Sequence, residues 1–150
     1  MSGDPLAPLD RVVADLTSDL SPAGRRKLAG EIARDVQRSA IRRLKANTQS
    51  DGSPMAPRKR GSDGLRPKSL RMFQKAASTR YLKRMVTAGG ARVGFFGNSA
   101  QIMSVHEYGL RDAVSPEPSA PQATYPEREV IGLSAADRAT ILDRALSHLI

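Results

Sequence analysis

A Gly89-Gly90 pair set between two apolar runs constrains this chain more than any other feature of it. Tyr81, Leu82, Met85 and Val86 precede the pair, and Val93, Phe95 and Phe96 follow it. Adjacent glycines supply the positive φ angles of a tight turn, so the flanking runs are predicted to pair as an antiparallel hairpin. Beyond Gly97 and Asn98, the residues Ile102, Val105 and Tyr108 recur near the helical period, and Gly109 suits a left-handed helix cap. Residues 80–111 therefore predict a hairpin and then a short helix, around which the rest of the chain must pack.

Helices are predicted on the amino-terminal side. Leu6, Leu9, Val13 and Leu16 follow helical spacing over residues 5–17, with Asp4 placed to cap and Pro5 suited to the first turn. Ser21-Pro22 repeats that start signal. It opens a longer helix, from Pro22 to about Ala46, with Leu28, Ala29, Ile32, Ala33, Val36, Ala40, Ile41 and Leu44 on its inner side. The opposite side carries Lys27, Arg34, Arg38, Arg42 and Lys45 at three- and four-residue spacing. Such a stripe is either a solvated face or a contact to phosphate or acidic protein.

Residues 47–67 lose all period and turn to Gly, Pro, Ser, Asp and basic residues, which reads as a long loop with a turn at Asp51-Gly52-Ser53-Pro54. Arg58-Lys59-Arg60 within it is a basic cluster that either touches nucleic acid or only aids solubility. Leu70, Phe73 and Ala77 suggest a short helix over residues 68–77. Pro116, Pro118 and Pro121 make residues 113–121 an exposed arm. Residues 122–125 read as a short edge strand stopped by Pro126, and Val130 and Ile131 could extend the sheet. Ser134 and Asp137 stand at capping-box spacing before a last helix with Ile141, Leu142, Ala145, Leu146 and Leu149 inward. The expected architecture is a single α+β domain over residues 1–150, a small antiparallel sheet flanked by helices. Its parts are two helices over 1–46, a loop over 47–67, the central elements over 68–133 and a final helix over 134–150.

Composition removes several function classes. A length of 150 residues suffices for one core without staples, and the absence of cysteine excludes disulfides and thiolate metal sites. Three Phe, three Tyr and no Trp argue against base-stacking platforms. Two histidines do not make a rich metal site, no apolar run is long enough to span a membrane, and no cleavable signal opens the chain, so a soluble, unexported protein is expected. The net charge of +9 draws anionic partners without choosing among nucleic acid, lipid and acidic protein.

No enzyme signature emerges. His106 and Glu107 are adjacent, so on a helix they point in different directions and do not form a base with its orienting carboxylate. His106 reads as structural, and His148 as a helix-terminal residue favoured by the helix dipole. The glycines of Val93-Gly94-Phe95-Phe96-Gly97-Asn98 lack the spacing of a phosphate cradle; Gly94 instead marks a bulge or close backbone approach. No serine sits in a Gly-x-Ser-x-Gly elbow, and no cofactor is expected.

Several blocks, in this order and spacing, carry a resemblance. They are Asp51-Gly52-Ser53-Pro54-Met55-Ala56-Pro57-Arg58-Lys59, Met72-Phe73, Val93-Gly94-Phe95, Ile102-Met103-Ser104-Val105-His106-Glu107-Tyr108-Gly109-Leu110-Arg111-Asp112, and Tyr125-Pro126-Glu127-Arg128-Glu129-Val130-Ile131-Gly132-Leu133-Ser134. Through them nearly the whole chain resembles the phage virion morphogenesis family, the tail completion proteins of Mu-like and related tailed phages. His-Glu-Tyr-Gly and Tyr-Pro-x-Arg-Glu are the specific part. The chain departs from the family tendency at Met55, where a larger aromatic is common, and in the proline-rich stretch 116–121.

The resemblance implies a non-enzymatic virion protein that completes the tail and joins it to the head, as a ring, commonly a hexamer. That ring would stand at the head-tail junction after assembly in the host cytoplasm. Implied partners are other copies of the chain, the tail-tube protein and a head-side connector or stopper, with possible contact to packaged DNA and none to membrane. The candidate interface residues are Arg34, Arg38, Arg42, Met55, Arg58, His106, Tyr108, Arg111 and Arg128. Residues 47–67 and 113–121 are expected at partner contacts, and deletion of either is expected to leave a folded subunit. The alternatives are a head completion or stopper protein and a non-specific double-stranded DNA-binding module.

Overall fold

The computed structural model describes Arg11, Ala14 and residues 21–58, 71–87, 89–115 and 117–149. The helix expected over residues 5–17 lies, apart from Arg11 and Ala14, outside the described residues, as do residues 59–70 of the long loop and of the helix expected after it.

Helix α1 spans Pro22–Ala46 and starts where its signals place it. Ser21 Oγ accepts from Gly24 N at 3.1 Å, and Pro22 occupies the first turn, where a missing N–H costs nothing. Asn47 ends it in the left-handed conformation, φ 54°. The Asn47 amide also grips a distant strand of chain, since Nδ2 donates to Met72 O at 2.8 Å and Oδ1 accepts from Met72 N at 2.7 Å.

The predicted hairpin is present as β1, Leu82–Thr87, and β2, Gly90–Phe95. Leu82 stands opposite Phe95 and Thr87 opposite Gly90, so Gly90 already belongs to the strand and the turn comes one residue earlier than the glycine pair suggests. Alternation puts Leu82, Arg84, Val86, Phe95 and Val93 on one face. That face meets α1. Leu82 is fully buried with Ala40, Leu44, Met55, Ala77, Met103 and Val130 in one core cluster. Gln37, absent from the apolar stripe read in the sequence, sits in the middle of this contact. Its Nε2 donates to Leu82 O at 2.7 Å, and its Oε1 accepts from Arg84 Nη1 at 2.6 Å, so both ends of a buried amide are satisfied.

Helix α2, Asn98–Glu107, follows Gly97 (φ 68°) and closes ahead of Gly109 (φ 61°). Strands β3, Arg111–Ala113, and β4, Gln122–Thr124, form a second antiparallel pair, Arg111 opposite Thr124. Helix α3, Ala135–Leu149, carries a reciprocal capping box: Asp137 N donates to Ser134 Oγ at 3.0 Å, and Ser134 N donates to Asp137 Oδ2 at 2.9 Å. It lies against α1 through Arg43–Asp137 (2.7 Å), Arg144–Asp35 (2.8 Å) and His148–Glu31 (2.8 Å).

The α+β class is as expected, with the strands divided between two two-stranded sheets. Val130 and Ile131 extend neither of them, because Glu107 has captured their backbone N–H groups. Ala113 ends strand β3, and the described residues of 114–121 connect it to β4, closed by Val114 N to Pro121 O at 3.0 Å. Residues 71–80 form turns instead of a helix, because Phe73 adopts φ 65°, outside the helical region. Residues 47–58 are no detachable arm: the Thr48–Pro54 bridge folds them back, and Met55 enters the core.

Candidate assembly surface and the weld beneath it

The two most specific blocks, His-Glu-Tyr-Gly and Tyr-Pro-x-Arg-Glu, meet at the carboxyl end of α2 and bind each other backbone to backbone. Arg128 N donates to His106 O at 2.8 Å, and Tyr125 N donates to Leu110 O at 3.0 Å. Gly109 makes this possible. A Cβ there would lie 3.1 Å from Glu127 N and 3.2 Å from Tyr125 O, on a backbone whose positive φ already disfavours one.

Side chains complete the weld. Arg128 is 2% exposed; its Nε donates to Ala56 O at 2.7 Å and its Nη2 to Pro57 O at 2.9 Å. Its Nη1 lies 3.2 Å from His106 Nδ1. A guanidinium has no lone pair to offer, so His106 accepts through Nδ1 and carries its proton on Nε2. The imidazole stands edge-on to Phe73 (4.9 Å) and Tyr125 (5.1 Å). Burial, and then the charge of Arg128, hold its pKa below the ordinary histidine value. Burial likewise lowers the Arg128 guanidinium, which has no carboxylate partner among the described residues.

The two flanking glutamates act as backbone acceptors. Glu107 Oε2 takes Val130 N at 2.6 Å and Ile131 N at 3.2 Å, while Glu129 Oε1 takes Ser50 N at 2.7 Å. Gln49 Oε1 returns the link by accepting from Glu129 N at 3.1 Å. His106 and Glu107 thus point apart, one into the core and one along the chain, with both polar ends engaged. This is an arrangement for holding segments together.

Three of the nine candidate interface residues belong to this interior: Met55 packs in the core, and His106 and Arg128 bond to each other. Their side chains are not available to a partner, because intramolecular contacts have taken them. The other six are exposed. Arg34, Arg38 and Arg42 line one flank of α1, Arg58 stands at the end of the described loop, and Tyr108 and Arg111 follow one another past the end of α2. Tyr108 is 69% exposed.

Apolar side chains that helical spacing alone assigned inward, or passed over, are exposed on and beside α2. Ile102 is 59% exposed, and Phe96, Leu110 and Val114 are also open to solvent. A groove of about 390 Å³ runs beside α2, lined by Phe95, Ala100, Met103, Tyr108, Val130 and Ile131, with Glu107 at its edge. Met103, next to Ile102, takes the inward position instead. The available sequence signal was the excess itself: a ten-residue helix bearing both Ile102 and Met103 has more apolar surface than one face can bury. Glu107 and Glu129 left no such signal.

Among the described residues, no helix is long and apolar enough to cross a membrane. No solved structure matches the chain. Tail completion protein S of Escherichia phage P2 is 34% identical over 139 residues, covering 89% of this chain and 90% of that protein. The phage virion morphogenesis family matches residues 4–150, and the chain belongs to that family.

Proposed function

We propose that this chain is a structural virion protein that completes the phage tail and joins it to the head, as a ring at the head-tail junction. The carrying observation is the end-to-end likeness to tail completion protein S, which leaves no substantial part of either chain unmatched. The polar groups that could have suggested chemistry, His106, Glu107 and Asp137, are engaged within the subunit, which favours a structural reading.

A ring needs a heterologous contact, one patch meeting a different patch on the next copy. The exposed Tyr108 beside an apolar groove, and Ile102 beside a second one lined by Ala76, Tyr81 and Met103, support that role, since each offers an apolar patch to a neighbour. One face of the ring would continue the tail-tube surface and the other would receive a head-side connector or stopper, which ends tail growth.

The test is electron microscopy of lysates from a phage lacking only this gene. Filled heads beside unattached tails, or tails of abnormal length, are expected. Empty or leaking heads would move the protein to the capsid side, and intact infectious virions would overturn the reading. The purified protein, sized by light scattering, is expected to form closed oligomers, with six copies the anticipated number.

A further inference from the structure

Helix α1 carries eight basic and two acidic residues, a surplus of six within a net charge of +9 for the whole chain. The charges are sorted by direction. At 3.6 residues per turn, Lys27, Arg34, Arg38, Arg42 and Lys45 fall within an arc of about 80° that runs for about 27 Å along the axis. All five are exposed. Both acidic residues of the helix are drawn toward α3, Glu31 by His148 and Arg144 and Asp35 by Arg144. Arg34, Arg38, Arg42 and Lys45 make no ion pair among the described residues. The packing of α1 against α3 therefore turns the acids toward α3 partners, although Lys27 still acts on Glu31.

We propose that this flank of α1 is a sequence-independent contact for the phosphate backbone of double-stranded DNA. Two features favour DNA over an acidic protein. Protein interfaces centre on apolar side chains and are depleted of lysine, yet the arc presents no exposed large apolar residue, in contrast to the surface around α2. From Arg34 to Lys45 successive cations also lie about 4.5 to 6 Å apart along the axis, a spacing suited to a line of phosphates. Gln37, the amide on α1, is buried against the hairpin, so the flank offers cations alone. Beside Arg38 and Arg42 lies a polar cleft of about 180 Å³ lined also by Ser39 and Thr140. Its carboxylates, Asp35 and Asp137, are already held by Arg144 and Arg43.

The contact is tested with the purified full-length protein and a labelled DNA duplex of random sequence, titrated at salt concentrations from about 50 to 200 mM. Replacing Arg38→Ala and Arg42→Ala together is expected to flatten the slope of log K against log salt by about 1.8, and to weaken binding roughly sixtyfold near 0.1 M salt. Lys27→Ala with Lys45→Ala gives a second pair on the same flank, expected to flatten the slope similarly, should the first fail to fold. Arg92→Ala with Arg111→Ala, exposed cations on the two hairpins, is expected to leave the slope unchanged. Absence of DNA binding by the unmodified protein would overturn the proposal, as would equal loss in the hairpin variant. Stronger competition by polyglutamate than by unlabelled duplex at equal charge concentration would also overturn it, in favour of an acidic protein partner.

Discussion

Helices α1 and α2 both leave one side to solvent, and the two sides are opposite in chemistry. α1 shows cations and no exposed large apolar residue, whereas α2 shows Ile102 and ends at Tyr108, beside an apolar groove. The inner sides differ as well. α1 buries small residues, Ala33 and Ala40, so the hairpin approaches closely and one amide, Gln37, settles the polar contacts. α2 is held at its carboxyl end by a network of charged side chains that ties it to residues 47–58 and 125–131. The family's most recognisable residues therefore divide: His106, Glu107, Arg128 and Glu129 hold the segments together, while Tyr108 of the same block stands open at the surface.

If that division is right, removing a residue of the weld should unfold the subunit and removing a surface residue should only isolate it. Arg128 should give the largest effect. Arg128→Met leaves Ala56 O, Pro57 O and His106 Nδ1 without their donor in the interior, which should cost about 3–5 kcal/mol in urea denaturation. Arg128→Lys should recover little, because one ammonium on a flexible stem does not replace a planar fork aimed at three acceptors. A variant as stable as the original protein would show that the weld is ornamental.

Glu107→Gln comes next. The amide oxygen can still accept one backbone N–H, but the charge that strengthens both bonds is gone, so a loss of about 1–2 kcal/mol is expected. The groove beside Glu107 should then loosen as the 130–131 backbone is released, visible as faster hydrogen exchange at Val130 and Ile131 than at Leu82.

The weld also predicts a pH signature that the α1 flank lacks. His106 sits below its ordinary value of about 6.5 in the folded protein, so in the unfolded chain it takes up a proton first as pH falls. Its contribution is fully present above about 6.5 and is lost from there down to the lowered folded value, with a slope no steeper than about 1.4 kcal/mol per pH unit. For Asp137, burial raises the pKa, but hydrogen bonds from Ser39, Ser134 and Arg43 outweigh it, so its contribution is lost only below about 4. The two losses begin at different pH, about 6.5 for His106 and about 4 for Asp137. Urea midpoints of the original protein and of His106→Gln should therefore converge between about pH 7 and 5, and parallel curves would exclude a neutral, buried His106.

Sequence legibility followed the same division. The long helix, the glycine hairpin, the helix closed ahead of Gly109 and the capping box of α3 were all readable, because each rests on residues within a few positions of one another. What escaped depends on long-range pairing. Asn47 bonds to Met72 and Arg128 to Ala56, separations of 25 and 72 residues for which local spacing holds no record. Those bonds turn residues 47–58 from a presumed arm into part of the core, and a Phe73 with positive φ replaces the expected helix with turns. For the surface, the basic stripe was legible because a helix displays its period. The apolar surface was not, because Ile102 and Met103 are neighbours and only packing decides which of them turns inward.

The smallest effect on folding should come from that exposed pair, and it sharpens the comparison most. Ile102→Ser and Tyr108→Ser remove side chains that are 59% and 69% exposed, so each should change stability by no more than about 0.5 kcal/mol. If the surface joins copies of the chain, the same substitutions should convert closed oligomers to monomers in light scattering, and should yield unattached tails when carried in the phage. Arg38→Ala, equally neutral for folding, should leave the oligomer intact. Folded, monomeric Ile102→Ser beside folded, oligomeric Arg38→Ala would assign self-association to α2 alone. Loss of the oligomer in both would mean that the cationic and apolar faces serve one continuous interface, and the contrast between the two helices would fall.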